Sequence, residues 1–265
     1  MSVVLSNTLG AFLLMLCALF PQFSFNKADR KSAIEHVQQA ELAGAWRLAS
    51  GTAEFASLPE GATAVAMLED GYFTVAYFSP TAKKFIGTYG GTYTASNGNM
   101  TLNFEYNTLD NATVGTTTSL TYTLKNGQLQ INSDRQQSWE KLSPENTTTP
   151  LEGTWRITGR AGEDGKINPM QRGPRKTLKV LSDGRFQWIA FNTETKEFSG
   201  TGGGTYTAKN GKYTEHIDFF SRDSSRVGAS LGFNYEVKDG KWLHTGKSSA
   251  GKDISEVWER AQQGI

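Results

Sequence analysis

The sequence predicts an all-β protein built as two tandem antiparallel up-and-down β-barrels. Three observations carry that prediction: a hexapeptide that occurs twice, apolar residues that alternate with a period of two, and Asn-Gly or Asp-Gly pairs between the alternating runs. The hexapeptide Gly-Gly-Thr-Tyr-Thr-Ala fills residues 90–95 and again 203–208, so the second copy trails the first by 113 residues. Other landmarks keep that spacing. Asp70-Gly71 answers Asp183-Gly184, Asn97-Gly98 answers Asn210-Gly211, and Val114-Gly115 answers Val227-Gly228. The outer flanks drift only slightly, Gly44-Ala45-Trp46 matching Gly153-Thr154-Trp155 and Trp139-Glu140-Lys141 matching Trp258-Glu259-Arg260. A period this long is a duplicated domain rather than a solenoid unit.

Each element follows from local chemistry. From Met100 to Tyr106, the residues Met100, Leu102, Phe104 and Tyr106 share one face of an extended chain and Thr101, Asn103 and Glu105 the other. That is the pattern of a half-buried antiparallel strand. Leu120 to Leu124 repeats it. Asn-Gly and Asp-Gly between such runs are the short-range signal for hairpins. About seven to nine strands per copy follow, and closing the meander into a barrel removes its exposed edges. Glycines 87, 90 and 91, repeated at 200 and 202–204, suit strands that bend at a barrel corner.

The boundaries follow from composition. The chain of 265 residues divides into a leader (1–25), a polar helix or spacer (26–41), barrel 1 (42–142), a Pro- and Thr-containing linker (143–150) and barrel 2 (151–262). Domains of this size bury a core without disulfides. The apolar run from Leu9 to Phe20 is too short to span a bilayer and suits a signal peptide, with a retained anchor as the alternative. The expected address is periplasmic or secreted. The one cysteine, Cys17, lies in that run, so a cleaved chain has no thiol chemistry. A net charge of +1 offers no basic field for nucleic acid.

These residues resemble the calycin superfamily, and more narrowly the short lipocalin-like domains, of undefined function, common in secreted proteins of Bacteroidetes-type bacteria. Gly44-Ala45-Trp46 and Gly153-Thr154-Trp155 stand where that family has Gly-x-Trp on its first strand. The resemblance implies that Trp46 and Trp155 pack under basic residues of the last strands, Lys141 and Arg260. It also implies a binding role toward a small apolar or amphipathic molecule.

The two copies control for one another. At inward positions Leu102 becomes Glu215, Ile131 becomes His244, Leu129 becomes Trp242, Leu120 becomes Phe233, Val75 becomes Trp188 and Met100 becomes Tyr213. Tyr93 stays as Tyr206 and Tyr122 as Tyr235. An unpaired carboxylate on an apolar face is costly, so Glu215 needs a partner: a tyrosine hydroxyl, His244, water or a ligand. One reading makes barrel 2 a ligand pocket, with Glu215, His244, Tyr206 and Tyr235 as polar anchors, Trp188, Trp242 and Phe233 as walls, and Tyr213 also lining it. Another is a buried network that only fixes strand register. His216 follows Glu215 and faces outward. The basic loop 160–176, with Arg172, Arg175 and Lys176, is a lid or a solvated turn.

The chemistry of common enzymes is missing. There is no Gly-x-Ser-x-Gly elbow, and the glycines at 200–204 lack the Lys-Ser/Thr of a phosphate loop. No metal or cofactor is expected. Three functions follow in order: a non-enzymatic binding protein with its ligand in barrel 2, an interaction module docking a protein or glycan through filled barrels, and an enzyme using Glu215 and His244 as acid and base. A monomer is expected.

Overall fold

The computed structural model describes residues 39–51, 58–133, 136–142 and 149–261. The leader, with Cys17, His36 and most of the spacer and linker, lies outside the described residues. Barrel 1 comprises β1 (Gly44–Gly51), β2 (Thr63–Glu69), β3 (Tyr72–Ser79), β4 (Lys84–Ser96), β5 (Asn99–Asn107), β6 (Thr117–Lys125), β7 (Gln128–Asn132) and β8 (Gln137–Leu142). They pair in sequence order, and β8 closes on β1. Barrel 2 runs through β9 (Gly153–Ala161), a short β10 (Ile167–Pro169), β11 (Arg175–Ser182), β12 (Arg185–Asn192), β13 (Phe198–Lys209), β14 (Lys212–Phe220), β15 (Ser230–Lys238), β16 (Lys241–Lys247) and β17 (Asp253–Arg260). Here β17 closes on β9, while β10 pairs with the outer part of β9 beyond its contact with β11. Both copies are thus eight-stranded antiparallel up-and-down barrels, and β10 is an addition inside the 160–176 loop.

The predicted hairpin pairs form as the sequence implies. Asp70, Asn97, Asn126, Asp183, Asn210 and Asp239 all take positive φ before a glycine of positive φ, the geometry of a type I′ turn. The glycine clusters mark bulges, between Gly90 and Gly91 in barrel 1 and between Gly203 and Gly204 in barrel 2. A Cβ on Gly91 or Gly204 would lie 1.9 Å from the carbonyl oxygen of Asn103 or His216. Only glycine lets the strands approach so closely there.

One end of each barrel is closed in the same way. The indole N–H of Trp46 donates to the Leu42 carbonyl at 3.0 Å, and that of Trp155 to Leu151 at 2.8 Å. Lys141 lies over the Trp46 ring at 5.5 Å and Arg260 over Trp155 at 4.0 Å, as the family resemblance implied. Both cations also donate to the backbone, Lys141 to Ala43 and Arg260 to Glu152.

The barrels meet along a pseudo-twofold seam. Asp183, in the β11–β12 turn, accepts the Ala45 N–H at 2.9 Å, and its counterpart Asp70 accepts the Thr154 N–H at 2.7 Å. Phe78 packs on Phe219 and Tyr106 on Phe191, two contacts that exchange under the duplication. Other positions meet their own counterparts: Thr74 donates to Gln187 at 2.7 Å, Ser182 to Glu69 at 2.5 Å, and Phe85 stacks on Phe198 at 6.4 Å. This seam explains why all of β3 is buried on both faces, a condition usual for strands covered on two sides. Gln187 also donates to Thr88 and Thr201, and Tyr106 donates to Thr74. The seam therefore has a satisfied polar centre inside an apolar surround, which fixes register between the two halves.

Candidate functional site

Strand alternation puts Tyr213 and Glu215 (β14), Phe233 and Tyr235 (β15), and Trp242 and His244 (β16) on the inner face of barrel 2. Their rings interlock: Phe233 lies 4.4 Å from His244, Trp242 5.2 Å from His244, and Tyr213 5.4 Å from Trp242. Tyr206 lies toward the closed end, its hydroxyl 3.0 Å from Thr149. Trp188 lies apart from that centre, edge-on to Phe220 and beneath Arg222. His216 is exposed and bonds Ser230, as its outward position predicts.

The partner of Glu215 is a residue the sequence reading did not single out. Lys179, on β11, puts its ammonium 2.8 Å from Glu215, and both residues are only 4% exposed. The Tyr213 hydroxyl donates to the same carboxylate oxygen at 2.9 Å. Three ring faces surround the ammonium, Tyr213, Trp242 and Trp258, each 5.2–5.3 Å from it. Such faces attract a cation through their quadrupoles. The hydroxyl expectation for Glu215 was right; the cation was missed. Leu178 and Val180, which flank Lys179, both face the seam, so Lys179 points inward. The signal that could have found it was in the duplication: Lys179 aligns with Ala66 as Glu215 aligns with Leu102. Two opposite charges entered one interior together.

His244 has its own acid. Its Nδ1 lies 3.3 Å from Glu256, which also takes the Trp258 indole N–H at 3.1 Å and Arg160 at 2.7 Å. Burial, reinforced by the Lys179 charge, lowers the His244 pKa. Burial opposes the charge on Glu256, but the His244 hydrogen bond, Lys179 and Arg160 outweigh it and hold the carboxyl near about 2. The Tyr213 hydroxyl is pushed well above its ordinary value by burial and by Glu215. Glu215 and His244 are thus engaged with different partners, and His244 is 2% exposed. As an acid–base pair they lack both mutual contact and an open path to substrate.

Tyr213, Trp242 and His244, expected to line a pocket in barrel 2, are buried against one another, while an open cavity lies in barrel 1. An apolar cavity of 160 Å³ occupies the barrel 1 interior between Phe73, Val75, Met100, Leu102, Leu129 and Trp139. Its inward residues Leu102, Phe104, Leu120 and Ile131 remain half-buried. Their counterparts Glu215, Ile217, Phe233 and His244 are 4%, 2%, 6% and 2% exposed. The difference is steric. Where barrel 1 has Ala66, Leu129 and Ile131, barrel 2 has Lys179, Trp242 and His244, whose longer side chains meet across the axis.

The loop 160–176 is tied down on both sides. Arg172 pairs with Glu259 at 3.3 Å, Arg156 donates to the Gly173 carbonyl at 2.9 Å, and Lys176 reaches Glu105 of barrel 1 at 2.5 Å. Lys176 therefore belongs to the seam rather than to a solvated turn.

Residues 150–265 match a family described as a domain of unknown function, DUF4488. That match covers barrel 2. Among solved structures, a lipocalin-like protein from Bacteroides uniformis is similar at 12% identity, covering 42% of this chain and 98% of that one with a TM-score of 0.30. A protein of unknown function of the DUF3598 family, from Nostoc punctiforme, is similar at 15% identity, covering 86% of this chain and 98% of that one with a TM-score of 0.22. No curated protein sequence matches the chain. The chain is a tandem of two eight-stranded antiparallel barrels.

Proposed function

We propose that this protein is an exported, non-enzymatic binding protein that holds a small apolar molecule in barrel 1, with barrel 2 as its filled, load-sharing twin. The observation that carries this reading is the 160 Å³ apolar cavity whose inward side chains stay half-buried. Apolar surface left open to water inside a barrel gains about 25 cal/mol for each Å² that a ligand covers. The leader sequence supports export.

Native mass spectrometry of gently purified protein tests it. The expected result is a co-purifying small molecule that is lost from Leu102→Trp, which fills barrel 1, and kept by Glu215→Gln in barrel 2. Loss from Glu215→Gln alone would return the ligand to barrel 2. An apo mass for every form, with no apolar compound binding in titration, would refute a binding role.

A further inference from the structure

We infer that the barrel 1 site selects a neutral, single-ring aromatic ligand carrying at most one hydroxyl or carbonyl group at its outer end. The inference rests on the proposal that barrel 1 is the binding site, and it adds size, charge and polarity.

Volume sets the size. A closed apolar cavity of roughly 150 Å³ holds benzene, whereas drug-sized ligands occupy about 300–1,000 Å³. At 160 Å³ the barrel 1 cavity takes one ring with a small substituent, and a long acyl chain or a polycyclic ligand would have to extend out through the mouth.

Charge is set by what the walls lack. Among the described residues lining the cavity, none is Asp, Glu, Lys, Arg or His. Burying an ionised carboxylate or ammonium without a partner costs several kcal/mol or forces its neutralisation. The contrast with barrel 2 is internal to this molecule. There an ammonium does sit among rings, and it comes with Glu215 and three ring faces. Barrel 1 holds Ala66 and Leu102 at the two positions that supply those charges.

Shape and polarity come from the two ends. Phe73, Tyr89 and Phe104 form a three-ring cluster on one wall, with centroids 5.7–6.3 Å apart. Edge-to-face packing of a fourth ring there adds to area burial. At the outer end Thr118, Ser133 and Gln137 line the cavity; Thr118 and Ser133 are exposed, which marks the mouth. These are neutral hydrogen-bonding groups, able to meet a hydroxyl or carbonyl but not to balance a charge.

The test is calorimetric titration of the full chain at pH 7 with p-cresol and benzyl alcohol, their charged counterparts benzoate and benzylammonium, and decanol. Leu102→Trp and Ile131→Phe serve as independent filled-cavity variants. The expected result is that the neutral ring compounds bind at least ten-fold more tightly than the charged ones and than decanol, and that both variants abolish this binding. If benzoate, benzylammonium or decanol binds as well or better and is still lost in the variants, the selectivity is overturned while the barrel 1 site stands. If binding survives both variants, or none of the compounds binds, the inference is overturned; survival in the variants also removes barrel 1 as the site.

Discussion

Replacing Lys179 with Met leaves the Glu215 carboxylate buried at 4% exposure with only the Tyr213 hydroxyl beside it. Breaking a buried ion pair by removing one partner costs about 3–5 kcal/mol, and Met keeps the length of the lysine stem, so cavity formation adds little. The reverse change, Glu215→Gln, keeps an acceptor for Tyr213 and leaves the ammonium inside its three rings. Cation–π contacts of about 0.5–2 kcal/mol each offset part of that loss, so a cost of about 1–3 kcal/mol is expected. The double variant Lys179→Met/Glu215→Gln removes both charges and should fall within about 2 kcal/mol of the wild type, because neutral replacements of buried pairs are often tolerated. The cycle therefore predicts a coupling energy of about 2 kcal/mol or more. Urea unfolding followed by tryptophan fluorescence measures it, since Trp155, Trp188, Trp242 and Trp258, four of the six tryptophans, report on barrel 2. Additive single variants, or a Lys179→Met cost below about 1 kcal/mol, would falsify the claim that this pair holds the interior of barrel 2.

Other predictions concern protons and the seam. Burial, with Asp70, Glu152 and Asp183 close by and only the Ser182 hydrogen bond opposing, raises the Glu69 pKa from 4.5 to about 7. The folded state then holds a proton that the unfolded state gives up, so this contribution is full below pH 4.5 and gone above about 7. Glu69→Gln should raise the melting temperature at pH 8 and leave it nearly unchanged at pH 4.5; an equal gain at both would contradict the assignment. Glu256 works in the opposite direction: its stabilisation is present above pH 4.5 and is lost as the pH falls toward about 2. A Glu256→Gln variant should show a flatter acid limb in a pH series of urea midpoints. Asp70→Ala and Asp183→Ala each strip a seam N–H of its acceptor and should each cost about 1–3 kcal/mol; a large difference between them in equilibrium unfolding would count against the pseudo-twofold arrangement.

The strands, hairpins and barrel closure were legible because a period of two and Asn-Gly or Asp-Gly turns are local signals. The inward set around Tyr213, Glu215, Trp242 and His244 was legible because barrel 1 states the same alternation in plainer residues. The seam was hidden for the same reason Lys179 was. Where a barrel strand is covered outside as well as inside, as in β3 and β11, apolar residues stand on both faces and alternation stops pointing inward. The location of the open space was not legible either. Glu215 and His244 look like pocket polarity when read singly, and only side-chain length in three dimensions shows that they close the space instead.

The seam also constrains how the two copies can drift apart. At Thr74 and Gln187, Glu69 and Ser182, and Phe85 and Phe198, each site touches its own duplicate. A change in one copy is met at once by the other, so these sites can diverge only as matched pairs. Inner-face positions answer to their own barrel alone, and there one copy keeps Ala66 and Leu102 where the other has Lys179 and Glu215. The duplication thus left a molecule with one common seam and two interiors that differ in size and charge.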